Sequence, residues 1–160
     1  MALRNIVLEG DPLLRKKSRP VEEINDRIIK LLDDMAETLE ASGGVGLAAP
    51  QVGIMRRLCV IDVGDGVIEF INPVILESEG EQEVQEGCLS CPGEFGIILR
   101  PAHVKAQFQD REGNLCEIEG DDLFAQAMCH EFDHLDGIIF KSKVERMLTE
   151  EELREMREEE

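Results

Sequence analysis

The sequence predicts an α+β fold, on three observations. An apolar run of helical period lies near the start, short strand-like runs separated by glycine turns fill the middle, and two further helical segments close the chain. Ile24, Ile28, Leu31, Leu32, Met35 and Leu39 recur at helical spacing and give an N-terminal helix from about Asp26 to Ala41, ended by Gly43-Gly44. The glycine-rich stretch from Gly43 to Gln51 reads, taken alone, as a helix-ending turn. Six short strands follow: Leu58 to Val63, Val67 to Ile71, Val74 to Leu76, Ile97 to Leu99, Val104 to Gln109 and Leu115 to Ile118. Gly64-Asp65-Gly66 and Arg111-Glu112-Gly113-Asn114 are hairpin-type turns, so the strands should be mostly antiparallel. A second helix runs from Asp122, a good N-cap, to Gly137. Thr149 and Glu152 form a capping box that opens a short last helix.

The 160 residues suffice for one domain with one substantial core, and 42% apolar content fits a globular protein. Residues 1–160 are therefore expected to form a single domain, with 149–160 as an acidic C-terminal helix or tail. The start lacks the apolar run of a signal peptide, and no stretch approaches the roughly 20 apolar residues of a membrane span. A soluble, cytoplasmic protein with no membrane contact is expected. The net charge of −18 argues against direct nucleic-acid binding. Arg15, Lys16, Lys17 and Arg19 form a small basic exception, read as a solvated loop. The five cysteines are odd in number, so a disulfide framework is not expected. Cys59 and Cys116 sit in strand-like runs and read as buried core thiols.

The run His130-Glu131-Phe132-Asp133-His134 carries the chemistry. Residues four apart share a helix face, with Cβ atoms roughly 5–6 Å apart, so two imidazoles can bite one metal ion. Glu131, beside the first, is placed to take a proton from a water held by that ion. Phe140 stands where a metzincin would carry its third ligand, so the third ligand lies elsewhere. His103 precedes an alternating run and reads as a surface histidine at a strand start. Glu86-Gly87-Cys88-Leu89-Ser90-Cys91-Pro92-Gly93 is the better source. Both cysteines with both histidines would make a closed structural site. The separation of Cys91 from His130 far exceeds the roughly 12–15 residues of a zinc finger, and Glu131 would then have no task. One cysteine with the two histidines leaves an open position for water, a catalytic arrangement. Two alternatives stand beside it: a zinc endopeptidase using the same helix, and a structural-metal binding module.

Three blocks in order resemble the peptide deformylase family: Gly44-Val45-Gly46-Leu47-Ala48-Ala49-Pro50-Gln51, then Glu86-Gly87-Cys88-Leu89-Ser90, then His130-Glu131-Phe132-Asp133-His134. Gly10-Asp11-Pro12-Leu13-Leu14-Arg15 and Arg100-Pro101 also fit. The resemblance implies short, mostly antiparallel strands packed around a central metal-binding helix. It implies hydrolysis of the N-formyl group from the initiator methionine of new polypeptides, with formate released. It implies Cys88, His130 and His134 as ligands of one divalent ion, Fe(II) in the cell, with zinc, nickel or cobalt accepted. Glu131 would be the general base and then acid. Gln51 and the Leu89 backbone N–H would serve the oxyanion. The substrate would bind as an added strand paired with the Val45 and Gly87 backbone, past Gly44 and Gly46, with its methionine beside Leu123 and Ala127.

The chemistry agrees with the residue types. Amide hydrolysis needs a nucleophile, an oxyanion donor and a proton for the leaving amine, and a metal, Gln51 and Glu131 suit those tasks. Gly44 and Gly46 let backbone approach a peptide closely. A thiolate with two imidazoles suits zinc or ferrous iron, and spacing does not choose between them. Asp133, Glu86 and Arg100 are expected to orient the ligands. Three positions depart from the family's usual pattern. Cys91 replaces an aliphatic residue and reads as a bystander, Cys129 replaces glutamine, and Gln126 replaces a larger apolar residue. The partners implied are N-formyl-methionyl peptides and nascent chains, which brings the protein near ribosomes. The tail holds seven glutamates from 150 to 160, which ribosomal RNA would repel, so docking through it is not expected.

Overall fold

A computed structural model describes residues 2–158. Helix α1 (Asp26–Ser42) takes its N-cap from Asn25, whose side chain accepts from the Ile28 N–H, and ends at Gly43 in the left-handed region. Strands β1 (Gly46–Ala48), β2 (Leu58–Ile61), β3 (Ile68–Glu79), β6 (His103–Gln109) and β7 (Leu115–Asp121) form one antiparallel sheet in the order β1-β2-β3-β6-β7. Strands β4 (Gln82–Cys88), β5 (Cys91–Arg100) and β8 (Arg146–Met147) form a second, in the order β4-β5-β8. Helix α2 (Asp122–Leu135) carries the paired histidines, and α3 (Glu150–Glu158) follows β8.

Strand β2 of the larger sheet is buried on both faces. In β2, Leu58 and Val60 point to α1 and pack with Leu31, Leu32, Met35 and Leu39. Cys59 and Ile61 point the other way, toward α2, with Phe70, Phe108, Met128 and Phe132. Each such side chain taken out of water stabilises the fold by roughly 1.5–3 kcal/mol, so α2 is anchored by its apolar face while its other face is left to the site. A third cluster, Leu14, Cys91, Ile98, Ile139 and Phe140, joins the smaller sheet to the chain leaving α2.

The expected α+β class, the two main helices and the last capping box agree with the structure: the Thr149 Oγ1 accepts from the Glu152 N–H at 3.1 Å, and Glu152 Oε1 accepts from the Thr149 N–H at 3.0 Å. Several elements differ from expectation. Two expected strands are one, β3, because Asn72-Pro73 makes a bulge rather than a break. Asn72 adopts φ 51, and its side chain closes the gap by pairing with both Val21 backbone groups at 2.8 Å. Strands β1, β4 and β8 were not anticipated. The cap of α2 is Asp121, not Asp122, and its carboxylate serves His103 instead of the helix. Cys116 is only half-buried, at the margin of the core.

Candidate active site

One turn of α2 separates His130 from His134 and brings both to one face, with ring centroids 4.9 Å apart. Cys88 ends β4, and its Sγ lies 3.3 Å from His134 Nε2. One donor atom each from Cys88, His130 and His134 falls within 4.8 Å of the others. Donors about 2.0–2.3 Å from a tetrahedral ion stand about 3.5 Å apart, so the set fits one divalent metal. Cys91 is not in this group; it lies with Glu9 and Glu94, whose carboxylates are taken by Lys141. His103, paired with Asp121 at 2.6 Å, is likewise outside it.

The candidate donors are held from behind. His130 Nδ1 pairs with Glu86 Oε2 at 2.6 Å, which leaves Nε2 for the site. Arg100 donates from Nε to Glu86 Oε1 at 3.0 Å and from its Nη1 to Asp133 Oδ2 at 2.8 Å. Lys143 then reaches Asp133 from the surface at 3.1 Å. Alternating charges thus run from His130 to solvent. Burial alone would raise the Glu86 carboxyl, but hydrogen bonds with His130 and Arg100 hold it down at about 2. The expected trio of Asp133, Glu86 and Arg100 is therefore one network.

Glu131 is 3% exposed, and burial pushes its carboxyl up to about 7, the range a proton shuttle needs. Its Oε1 and the His134 Nδ1 are buried without a protein partner, two polar atoms that call for something more than apolar packing. Burial drives the His134 imidazole toward its neutral form, the form that binds metal. The adjacent Cys91 thiol, then burial and the Glu131 charge, hold the Cys88 thiol above its ordinary range.

A cleft of about 460 Å³ opens in front of these groups. Gly44, Val45, Gly46, Gly87, Cys88, Leu89, Leu123, Ala127, His130 and Glu131 line it, so most of the residues singled out in the sequence share one surface. Gln51 is not on that wall. It is buried behind Cys88, where its Nε2 donates to Cys88 Sγ at 3.4 Å and to Ser90 Oγ at 3.2 Å, and its Oε1 accepts from the Ala48 N–H at 2.9 Å. Leu123 is 46% exposed and forms a rim rather than core. Gln126 donates to the Gln85 carbonyl at 3.0 Å, which fixes a polar edge beside Ala127.

The sequence reading missed Phe95, Ser90 and Lys143. Phe95 lines the cleft and packs where a Gly87 side chain would be, 2.6 Å from that Cβ position. As the one aromatic residue of the β4–β5 hairpin, Phe95 was the available signal. Ser90 stands inside the second motif block without a role read for it, and Lys143 carried no signal.

The chain is similar to known proteins of one family. A family model described as polypeptide deformylase matches residues 3–150. The chain is 59% identical over 158 residues to the peptide deformylase of Caldanaerobacter subterraneus subsp. tengcongensis, covering 99% of each. It is 56% identical over 158 residues to that of Acetivibrio thermocellus, covering 99% of this chain and 93% of the relative. Among solved structures it is similar to Thermotoga maritima peptide deformylase, with TM-score 0.87 and 40% identity over 89% of this chain and 97% of that one. It is also similar to the Synechococcus elongatus peptide deformylase solved with actinonin, with TM-score 0.86 and 35% identity over 98% of this chain and 85% of that one.

Proposed function

The chain belongs to the polypeptide deformylase family, and from that premise we propose how its residues divide the work. It is a metal-dependent hydrolase that removes the N-formyl group from new polypeptides. In our reading residues 1–160 act as one catalytic domain, with 149–160 an acidic appendage. Cys88, His130 and His134 hold the metal. Fe(II) is the ion we assign in the cell, with zinc, nickel or cobalt able to take its place, since a thiolate and two imidazoles suit all of them. When bound, that ion supplies the Lewis acidity that makes water a nucleophile near neutral pH.

The remaining steps belong to the chain. Glu131 takes the proton of the attacking water and returns it to the leaving amine nitrogen, and a carboxyl held near pH 7 suits both transfers. The Gln51 side-chain amide, once turned from its Cys88 and Ser90 acceptors toward the cleft, and the Leu89 backbone N–H donate to the formyl oxygen as it gains charge. Backbone at Gly44, Val45, Gly46 and Gly87 pairs with the peptide as an added strand. Leu123 and Ala127 line the slot for the methionine thioether. Glu86, Arg100 and Asp133 orient His130.

The observation that supports this reading most is the convergence of the Cys88, His130 and His134 donors within 4.8 Å beside the buried Glu131. Nascent chains as substrate imply work in the cytoplasm close to ribosomes. Helix α3, whose first turn is Glu150, Glu151 and Glu152, is an unfavourable contact for RNA, so docking is assigned elsewhere or nowhere. The test is formate release from a formyl-methionyl peptide by anaerobically prepared protein of known metal content. Cleavage of internal bonds without formate would indicate the endopeptidase. Stoichiometric metal with neither activity would indicate a structural module.

A further inference from the structure

Cys91 is a buried thiol that the proposed reaction does not use, yet it faces a metal ligand. Cys88 and Cys91 bracket the two-residue turn Leu89-Ser90 and pair directly across it, past a register shift that separates them from the Gly87–Phe95 pair of the β4–β5 ladder. Directly opposed residues in an antiparallel ladder have Cα atoms about 4.5–5.5 Å apart and side chains on one face. A disulfide requires about 4.4–6.8 Å between Cα atoms, with the Cβ vectors on one side. Both side chains enter the same apolar cluster, with Leu14, Ile98 and Phe140. Cys59 and Cys129 belong to a different cluster, around α2, and do not compete. Access is one-sided: Cys88 lines the cleft, whereas Cys91 is 2% exposed.

We propose that Cys88 and Cys91 form a reversible disulfide when the protein meets a hydroperoxide, which removes the thiolate from the ligand set and shelters Cys88 from irreversible oxidation. The inference rests on the assignment of Cys88 as a metal ligand. In the first step the Cys88 sulfur, reached through the cleft, attacks one oxygen of the hydroperoxide. An S–O bond forms and the O–O bond breaks, and the departing oxygen takes a proton to leave as water or an alcohol. In the second, the Cys91 sulfur attacks the Cys88 sulfur. The S–S bond forms, the S–O bond breaks, and the oxygen leaves as water with the Cys91 proton. Two thiols lose two electrons in all, and one hydroperoxide gains them. A second hydroperoxide must diffuse in to carry Cys88 on to the sulfinic acid. Cys91 is already in place, and that proximity favours the disulfide.

The test uses metal-loaded protein and the Cys91→Ala variant, each treated with hydrogen peroxide. Cleavage after Glu86 and Glu94 frees residues 87–94, which hold Cys88 and Cys91 and no other thiol. In the unmodified chain this peptide should become lighter by two hydrogens as metal is released, and dithiothreitol followed by metal should restore most of the formate release. Cys91→Ala should begin with the same activity and metal content. Its peptide should instead gain two or three oxygens at Cys88, and reductant should restore less than about a tenth of the activity. The proposal is overturned if the unmodified chain gains those oxygens as fast as the variant with no internally linked peptide, or if Cys88 pairs with another thiol. Activity and metal content before peroxide test the assignment of Cys88 separately, since those can fail while the peptide still crosslinks.

Discussion

Adding a single methyl group at position 46 should test whether Glu131 needs its place. A Cβ built on Gly46 would lie 2.5 Å from Glu131 Oε2 and 2.7 Å from its Cδ and Cγ. Ordinary contact is about 3.5 Å, so the carboxylate must retreat by about 1 Å or the strand must yield. A reacting group misplaced by about 1 Å can lose about 100-fold in rate, equivalent to about 2.7 kcal/mol of barrier. Loss of a general base altogether costs about 10²–10⁴-fold, so Gly46→Ala should approach the lower end of that range in kcat. Its donors are untouched, so metal content should stay at one per chain. The overlap should also cost about 1–3 kcal/mol of stability, read as about 2–4 °C of Tm per kcal/mol. Gly44→Ala is the matched control. Its Cβ would meet only Leu89 methyl and methine carbons at 3.0–3.3 Å, and that side chain can turn aside, so KM should move more than kcat. Formate release under saturating peptide, with metal analysis of each sample, measures both. Full kcat in Gly46→Ala with full metal content, or an equal kcat loss in Gly44→Ala, would refute the claim that this glycine makes room for the base.

Four further outcomes follow from the same geometry. Glu131→Gln should keep its metal and lose about 10²–10⁴-fold in kcat, as judged by formate release per bound ion; full activity would end its role as proton shuttle. Cys88→Ala should lose metal affinity and activity together, whereas Cys91→Ala should keep both under anaerobic conditions; metal stoichiometry decides, and equal losses would favour the closed two-cysteine site. Ala127→Phe should fill the slot beside the cleft and lower kcat/KM for formyl-methionyl peptides at least about tenfold without metal loss, and an unchanged preference for methionine over alanine would remove Ala127 from the pocket. The last outcome concerns pH. The Glu131 carboxyl is raised by burial from 4.5 to about 7 in the folded chain. The folded state therefore binds the proton more tightly than the unfolded state. This contribution is fully present below pH 4.5 and is lost as pH rises through about 7. Chelator-treated protein should lose denaturant stability across that window relative to chelator-treated Glu131→Gln, and parallel curves for the two would contradict the shift.

What the sequence disclosed depended on whether a residue's burial matched its polarity. Helix α1 was legible because Leu31, Leu32, Met35 and Leu39 are both apolar and buried, and Gly43 ends the helix in the left-handed region that glycine favours. Strand β4 was not, because its one fully buried position is Glu86, a carboxylate. Alternation of apolar residues cannot reveal a strand whose inward side chain serves a histidine. Strand β1 was hidden by the glycines that leave room for Glu131 and a ligand. At the site, helical spacing alone paired His130 with His134. It could not choose between Cys88 and Cys91, since the choice depends on which side of the turn faces α2. The ordered motifs made that choice; in the structure the Cys88 donor, and not that of Cys91, lies within 4.8 Å of those of the two histidines. Lys143 was out of reach because its partner, Asp133, lies on a helix face that only the packing defines.

Under the proposed assignment, the placement of the three donors would make a metal here differ from a local staple. Cys88 belongs to the smaller sheet, while both histidines ride on α2, whose opposite face packs on the larger one. Gln51 joins them from the turn after β1, through its contact with Cys88. None of these contacts is local in sequence, so the donors converge only after α2 has docked and the β4–β5 hairpin has closed over it. In a zinc knuckle the ion organises a few neighbouring residues and leaves the rest of the chain indifferent. An ion held by these donors in the folded chain and not in the unfolded one would stabilise the packing of both sheets on one helix. The Arg100 network serves the same junction, since Arg100 comes from β5 and holds Glu86 of β4 against Asp133 of α2. A buried arginine with two carboxylates adds little net stability compared with an apolar core, and removing one partner costs about 3–5 kcal/mol. Its value is in register: it fixes how β4 sits on α2, and with it where the Cys88 sulfur meets the two imidazoles.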